Sequence, residues 1–158
     1  MHALLPAAEL LNALLAGFLL AFTVVVMPGL RSLPDRDYLR AFQQIDGVIQ
    51  RGAPLFAVVW LGSAVSLVAA AVIALLGSYG EARWLLAGAA VARLVGVQLP
   101  TMAISITLNH RLQAADLDTL EDGAVAELRA AFEPRWNRWN VTRTWVACVI
   151  AAVLASLP

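Results

Sequence analysis

Residues 7–30 read AAELLNALLAGFLLAFTVVVMPGL, a stretch in which Glu9 is the only charged side chain. A helix needs about 20 predominantly apolar residues to cross a hydrocarbon core of about 30 Å. Three further stretches, residues 53–76, 84–108 and 138–157, reach a similar length. The sequence therefore predicts an all-α integral membrane protein, a single domain over residues 1–158 built as a bundle of four transmembrane helices.

The composition agrees with this class. Hydrophobic residues make up 61% of the chain and the mean hydropathy is +0.76, whereas soluble domains are about 45–50% apolar. The formal net charge is zero, so no overall field attracts nucleic acid. Cys148 is the only cysteine, and His2 and His110 lie far apart, which gives no metal-ligand spacing. We expect membrane lipid as a partner, and neither a metal, a cofactor nor nucleic acid.

The arginines predict the topology. Residues 31–51 carry four arginines and residues 109–143 carry five, whereas the loop at residues 77–83 carries one. Short cytoplasmic loops are enriched in Lys and Arg. We therefore expect a multi-pass protein of the bacterial plasma membrane with both termini outside and the two arginine-bearing connections in the cytoplasm.

Each cytoplasmic connection is expected to contain a short amphipathic helix. In the first, at residues 35–50, Leu39, Phe42, Ile45 and Ile49 recur at helical spacing. The second is predicted at residues 119–133 and is expected to end at Pro134, because proline inside a helix removes one backbone hydrogen bond.

The fourth apolar stretch requires polar residues inside the membrane. Its unbroken apolar run, from Trp145 to Leu157, is too short at about 1.5 Å per residue to cross about 30 Å. Asn140 and Arg143 are therefore predicted to lie within the cytoplasmic leaflet. Trp136, Asn140 and Arg143 follow at i, i+4 and i+7, which places them on one face of the helix.

The first and third apolar stretches carry further polar residues. Ser105 and Asn109 share one line of the third helix, and Asn109 and His110 mark its cytoplasmic end. Arg93 lies well inside the outer half of that helix and needs a partner. Glu9 enters from the same side, so an ion pair between Glu9 and Arg93 is predicted, chiefly to fix the helix register.

Several of these segments resemble one family. Met27-Pro-Gly-Leu30, Pro54-Leu-Phe56, Leu108-Asn109 and Trp136-Asn-Arg-Trp139-Asn140 with Arg143 are similar to the anthrone-oxygenase-like family, small four-helix membrane proteins long catalogued as a domain of unknown function. The most specific part is Trp-x-x-Trp-Asn-x-x-Arg. The resemblance implies that some relatives oxidise anthrones to anthraquinones with molecular oxygen and without a metal or flavin.

The resemblance implies a cofactor-independent oxygenase, or a binder of a lipophilic aromatic or quinone-like molecule, at the cytoplasmic half of the bundle. An electron-rich enolate can pass an electron directly to oxygen, so the protein must favour deprotonation and hold the anion. Arg143 and Asn140, with Asn109, are expected to stabilise the oxyanion, and His110 is the candidate base. The expected substrate contacts are Trp136, Trp139, Trp60, Met27 and Ser105.

A second interpretation gives the same residues a structural role. Asn109, Asn140 and Arg143 would then lock helices together through hydrogen bonds or hold a lipid headgroup, and the protein would not be an enzyme. Geometry separates the two interpretations. The oxygenase requires a cavity lined by Trp136, Asn140, Arg143 and Asn109. A dry, filled interior in which these side chains bond to one another would favour the structural role.

Overall fold

The computed structural model describes residues 3–77 and 79–157, and the fold is given for these. They form five helices: α1 (Leu4–Arg31), α2 (Asp35–Gln50), α3 (Pro54–Leu76), α4 (Ala82–Gln113) and α5 (Asp122–Ala155). No strand occurs in these two ranges. The prediction of an all-α protein is confirmed.

Three of the helices have the length and composition of membrane spans. The apolar windows of α1 and α3 have a mean hydropathy of 2.4, and that of α4 has 1.5. Their outer faces carry exposed apolar side chains such as Leu55, Val65 and Val95, which water would disfavour and lipid tails accept. The three helices indicate a membrane protein.

The end of the bundle where α1 begins and α5 ends is packed with small residues. Ala70 and Ala74 of α3 meet Ala8 of α1 and Ala89 of α4 in one buried cluster. Alanine lets helix backbones approach closely. This end is accordingly closed and apolar.

The opposite end is built from larger side chains and is covered by α2. Phe42 of α2 contacts Phe132 and Trp136 of α5 edge-on, with ring centroids 4.7 and 5.2 Å apart. Tyr38 and Leu39 are fully buried in the same cluster. Large side chains here hold the helices further apart than alanine does, which leaves room for the cavity described below.

Arginine pairs fasten α2 to α5. Arg129 donates to Asp35 (2.9 Å) and Glu133 (2.8 Å), and its guanidinium lies 4.2 Å from the ring centroid of Tyr38. Burial acts to lower the pKa of Arg129, but the hydrogen bonds and charges of Glu133 and Asp35 raise it overall. Burial raises the pKa of Tyr38 well above its ordinary value, and the charge of Glu133 adds to the rise while Arg129 and Arg31 oppose it. Arg129 therefore stays charged and Tyr38 stays neutral throughout the neutral pH range.

The predicted break at Pro134 is wrong, because α5 continues through it as one helix of 34 residues. The segments predicted at residues 119–133 and 138–157 are thus parts of one element. Proline inside a helix costs about 3 kcal/mol. Tertiary contacts on both sides offset this cost: Arg129 and Phe132 hold the helix to α2 before the proline, and Trp136 packs on Phe42 after it.

Two helices contain wide π-type turns that sequence periodicity does not reveal. They occupy Phe22–Val26 in α1, and Arg93–Gln98 and Thr101–Ser105 in α4. Pro100 separates the two turns of α4 and has no N–H to donate. Such turns re-aim side chains and often occur at functional sites. Here they carry Thr101 and Ser105.

Candidate functional site

A cavity of about 570 Å³ lies at the α2 end of the bundle, with lining residues from all five helices. Its walls are mostly apolar and rich in aromatic rings, namely Phe18, Phe22, Phe42, Phe56, Trp60 and Trp136. The lining also includes two charged side chains that are almost completely buried, Arg143 at 5% and Asp46 at 4% exposure. An apolar cavity with a few converging polar groups is the usual form of a small-molecule site.

The guanidinium of Arg143 is held by neutral acceptors alone. Its Nη1 donates to Thr101 Oγ1 (3.0 Å), its Nη2 to Asn140 Oδ1 (3.1 Å) and its Nε to the carbonyl oxygen of Trp139 (3.3 Å). Its guanidinium carbon lies 5.8 Å from the centroid of the Trp136 ring. No ion pair in the described ranges involves Arg143. A buried cation without a carboxylate partner can accept an anionic ligand.

Asn140 fixes this guanidinium from the side of α1. Its Nδ2 donates to Thr23 Oγ1 (2.8 Å) and to the carbonyl oxygen of Leu19 (3.2 Å), which leaves Oδ1 for Arg143. The hydroxyls of Thr23 and Thr144 lie 2.9 Å apart. Asn140 is therefore oriented by α1, and the cation is preorganised before any ligand arrives.

The second charged group, Asp46 of α2, was missed by sequence reasoning. Its Oδ1 accepts from Asn109 Nδ2 (2.7 Å), and its Oδ2 accepts from Gln113 Nε2 (3.0 Å) and Gln50 Nε2 (3.3 Å). No arginine pairs with it in the part of the chain that the structure describes. The available signal was its position, because Asp46 falls on the same helical face as Leu39, Phe42 and Ile49.

Asn109 connects the two charged groups. It donates to Asp46 and accepts, at Oδ1, the indole N–H of Trp136 (3.0 Å). The Trp136 ring in turn lies against the guanidinium of Arg143. One polar chain thus runs along the cavity wall from carboxylate to cation.

The structure brings most of the predicted site residues to this cavity. Those that line it are Asn109, His110, Trp136, Asn140, Arg143, Trp60 and Ser105. His110 is exposed, whereas the Ser105 hydroxyl is buried and has no hydrogen-bond partner. The cavity predicted for the oxygenase interpretation is therefore present.

Two predicted substrate contacts lie elsewhere. Met27 is buried and lines a smaller cavity of about 290 Å³, on the far side of Asn140. Trp139 is absent from the lining of the main cavity and contributes its backbone carbonyl to Arg143. At about 100° per residue, Trp139 lies about 60° from Trp136 and about 100° from Asn140, so it is at the edge of the helical face that meets the cavity.

The predicted ion pair between Glu9 and Arg93 is wrong. Arg93 is fully buried, and it donates to Ser63 Oγ (2.9 Å), the Trp60 carbonyl oxygen (3.1 Å) and Gln98 Oε1 (3.2 Å). Its side chain faces α3, where Ser63 and Trp60 accept from it, and Gln98 of α4 supplies a third neutral acceptor. Arg93 is outside the cavity lining.

No group of three or more His, Cys, Asp or Glu side chains with the geometry to hold a metal ion occurs within residues 3–77 and 79–157. The polar groups at the cavity include a guanidinium, a carboxylate and carboxamides. They can exchange a proton with a weak acid and balance the charge of the resulting anion.

The fold and the cavity define a small helical membrane protein with an internal, polar-ended aromatic site. Residues 47–154 match the sequence model of the anthrone oxygenase family. This is more than half of the chain, and the protein belongs to that family, as the sequence resemblance predicted. The matched region contains Asn109, Trp136, Asn140 and Arg143, and it begins directly after Asp46. Comparisons with curated proteins and with solved structures give no match.

Proposed function

We propose that this protein is a membrane-embedded oxygenase that uses no cofactor and oxidises a lipophilic aromatic molecule able to form an enolate. One observation carries the proposal: Arg143, a buried cation that pairs with no carboxylate of the described residues, lines an aromatic-walled cavity. The family membership points to an anthrone as the kind of substrate.

The cavity suits a flat polycyclic molecule. Its volume of about 570 Å³ lies within the range of about 300–1,000 Å³ that is typical of small-molecule sites. Phe22 and Trp136, with ring centroids 5.8 Å apart, offer aromatic surfaces for offset or edge-on contacts. The polar chain along one wall fixes the orientation of the oxygen-bearing edge of the substrate.

The substrate is expected to enter from the lipid phase. Phe18 of α1 and Phe56 of α3, with ring centroids 5.2 Å apart, both line the cavity. Phe18 is 36% exposed on the apolar outer surface. The two rings pack against each other, so a hydrophobic molecule dissolved in the bilayer would reach the cavity by displacing them, without crossing water.

The chemistry needs only a proton acceptor, a cation and molecular oxygen. Loss of a proton converts an anthrone to its enolate, whose oxyanion lies against Arg143 and Asn140. The enolate transfers an electron to oxygen, and the two radicals combine to a peroxide at the reacting carbon. Breaking the O–O bond with loss of the second proton leaves a new carbonyl and releases water. One oxygen atom enters the quinone and the other leaves as water.

We propose that the second half of α5 is a fourth membrane span. Trp145 and Val149 are 70% and 60% exposed on its outer face, as expected of side chains in contact with lipid. Arg143 and Asn140 are buried on its inner face, so they do not meet hydrocarbon. With both termini outside, the cavity would lie in the cytoplasmic half of the membrane.

Oxygen uptake by the purified protein in lipid nanodiscs, with anthrone added, tests this function. The wild type is expected to convert anthrone to anthraquinone faster than empty nanodiscs do. Arg143→Met removes the buried cation and should abolish the increase. Arg138→Met is the matched control, because Arg138 is exposed on the same helix. Equal rates for the wild type and empty nanodiscs would overturn the proposal.

A second candidate is a non-enzymatic protein in which the polar cluster only joins helices. The observation in its favour is that Asn140 and Thr144 of α5 bond to Thr23 of α1, and Arg143 bonds to Thr101 of α4. It predicts that Arg143→Met lowers the melting temperature strongly and that the wild type does not bind anthrone.

A further inference from the structure

We infer that Asp46 is the general base of this site and that its carboxylate takes the proton from the aromatic substrate. The inference rests on the proposed oxygenase function. It replaces His110, the base predicted from sequence, whose side chain is exposed, with a carboxylate that is 4% exposed and lines the cavity.

The partners of Asp46 set it apart from its neighbours. Asp35, Asp118 and Asp122, at the same end of the molecule, each pair with an arginine. Asp46 is buried, and its hydrogen-bond donors are three carboxamides. A buried carboxylate without an opposing charge is unfavourable to the fold, and such groups are typical of functional sites.

The carboxamides also leave space for a substrate. A carboxylate offers about four acceptor positions. Asn109 occupies one on Oδ1, and Gln113 and Gln50 occupy those on Oδ2. One position on Oδ1 is left, beside the cavity that Asp46 and Asn109 line. Neutral donors orient the carboxylate without the positive charge that makes an arginine-paired aspartate a poor proton acceptor.

Arg143 lies at the other end of the polar chain that begins at Asp46. Asn109 and Trp136 join Asp46 to the face of the Arg143 guanidinium through hydrogen bonds of 2.7 and 3.0 Å and a cation–π contact. Proton transfer moves the negative charge from Asp46 to the substrate oxygen beside Arg143. The number of buried charges does not change, so the step avoids creating a new unpaired ion in a low-dielectric site.

The proton can be followed through the reaction. A C–H bond of the substrate breaks, an O–H bond forms on Asp46, and the electron pair stays on the ring system as the enolate. After oxygen has added, the acid form of Asp46 returns this proton to the outer peroxide oxygen, which gives a hydroperoxide. Asp46 then takes the second proton from the reacting carbon as the carbonyl forms and the O–O bond breaks, and it passes this proton to the departing hydroxide, which leaves as water. Asp46 is then free for the next substrate.

An anaerobic mixing experiment tests the base apart from the oxygenase. Anthrone is mixed with protein in nanodiscs under nitrogen at neutral pH, and the rate at which the coloured enolate appears is measured by absorbance. The wild type is expected to form bound enolate. Asp46→Asn should form it at least about 100-fold more slowly, the lower end of the effect of general bases on a rate, with anthrone affinity unchanged. Asp37→Asn is the control, because Asp37 is exposed on the same helix.

Two further measurements make the result decisive. Asp46→Asn should regain oxygen uptake at a pH that ionises anthrone in solution, since the base is then unnecessary, whereas Arg143→Met should not. If Asp46→Asn does not fold, Asp46→Glu moves the carboxylate and should also slow enolate formation. Enolate formation at the wild-type rate in either variant, or none in the wild type, would overturn the role of Asp46. Enolate in the wild type without quinone after air is admitted would instead overturn the oxygenase.

Discussion

Replacement of Arg143 by methionine should remove activity while leaving the fold intact. The buried guanidinium has three neutral acceptors, on Thr101, Asn140 and Trp139. Its loss leaves Asn140 Oδ1 without a donor inside the protein, at a cost of about 1–3 kcal/mol. It also removes an unpaired buried cation, which relieves a penalty of several kcal/mol. The two effects oppose each other, so the free energy of unfolding should stay within about 2 kcal/mol of the wild type.

Catalysis by Arg143→Met, unlike its stability, is expected to fall with no opposing effect. Removal of a preorganised group that stabilises a developing oxyanion lowers kcat by about 10²–10³-fold, or about 2.7–4 kcal/mol. Oxygen uptake with anthrone measures the rate, and loss of tryptophan fluorescence on heating measures stability in the same nanodiscs. The exposed Arg138→Met control should change the rate by no more than about twofold and the free energy of unfolding by no more than about 0.5 kcal/mol. A folded Arg143→Met protein with wild-type turnover would refute the role of the cation.

Three further predictions concern the polar chain along the cavity wall, the volume of the cavity and the topology of the protein in the membrane. Asn109→Leu breaks the link between Asp46 and Trp136 and should slow enolate formation at least about tenfold in the anaerobic mixing experiment; an unchanged rate would show that the link is dispensable. Ser105→Phe places a ring in the cavity that Ser105 lines and should weaken anthrone binding measured by fluorescence quenching, with kcat per bound substrate little changed; undiminished affinity would place the substrate elsewhere. A cysteine at exposed Tyr79, in a Cys148→Ser background, should react with an impermeant thiol reagent added to intact cells; labelling only after lysis would reverse the topology.

Local periodicity was sufficient for the part of the site that lies on single helices. Trp136, Asn140 and Arg143 are spaced to share one helical face, and the short apolar run after them indicated that Arg143 lies within the membrane. The structure places all three at one cavity. Asn109 was assigned to the same site because the cytoplasmic end of the third apolar stretch was predicted to lie at the same membrane depth as Asn140 and Arg143.

Contacts between distant segments could not be predicted in this way. Asp46 reaches the site because α2 folds across the end of the bundle, which no spacing along the chain specifies. Arg93 faces Trp60 and Ser63 of α3 rather than Glu9 of α1, and the spacing of residues along α4 does not specify which neighbouring helix it meets. Pro134 remains inside α5 because Phe132 and Trp136 pack on α2, so tertiary packing outweighs a local preference.

The most direct test of the central claim is isotope-labelled oxygen uptake by the wild-type protein in nanodiscs with anthrone as the substrate. The account predicts quinone formation well above the rate in empty nanodiscs, with one labelled oxygen atom in the new carbonyl and the other in water. A rate equal to that of empty nanodiscs, or a quinone without the label, would contradict it.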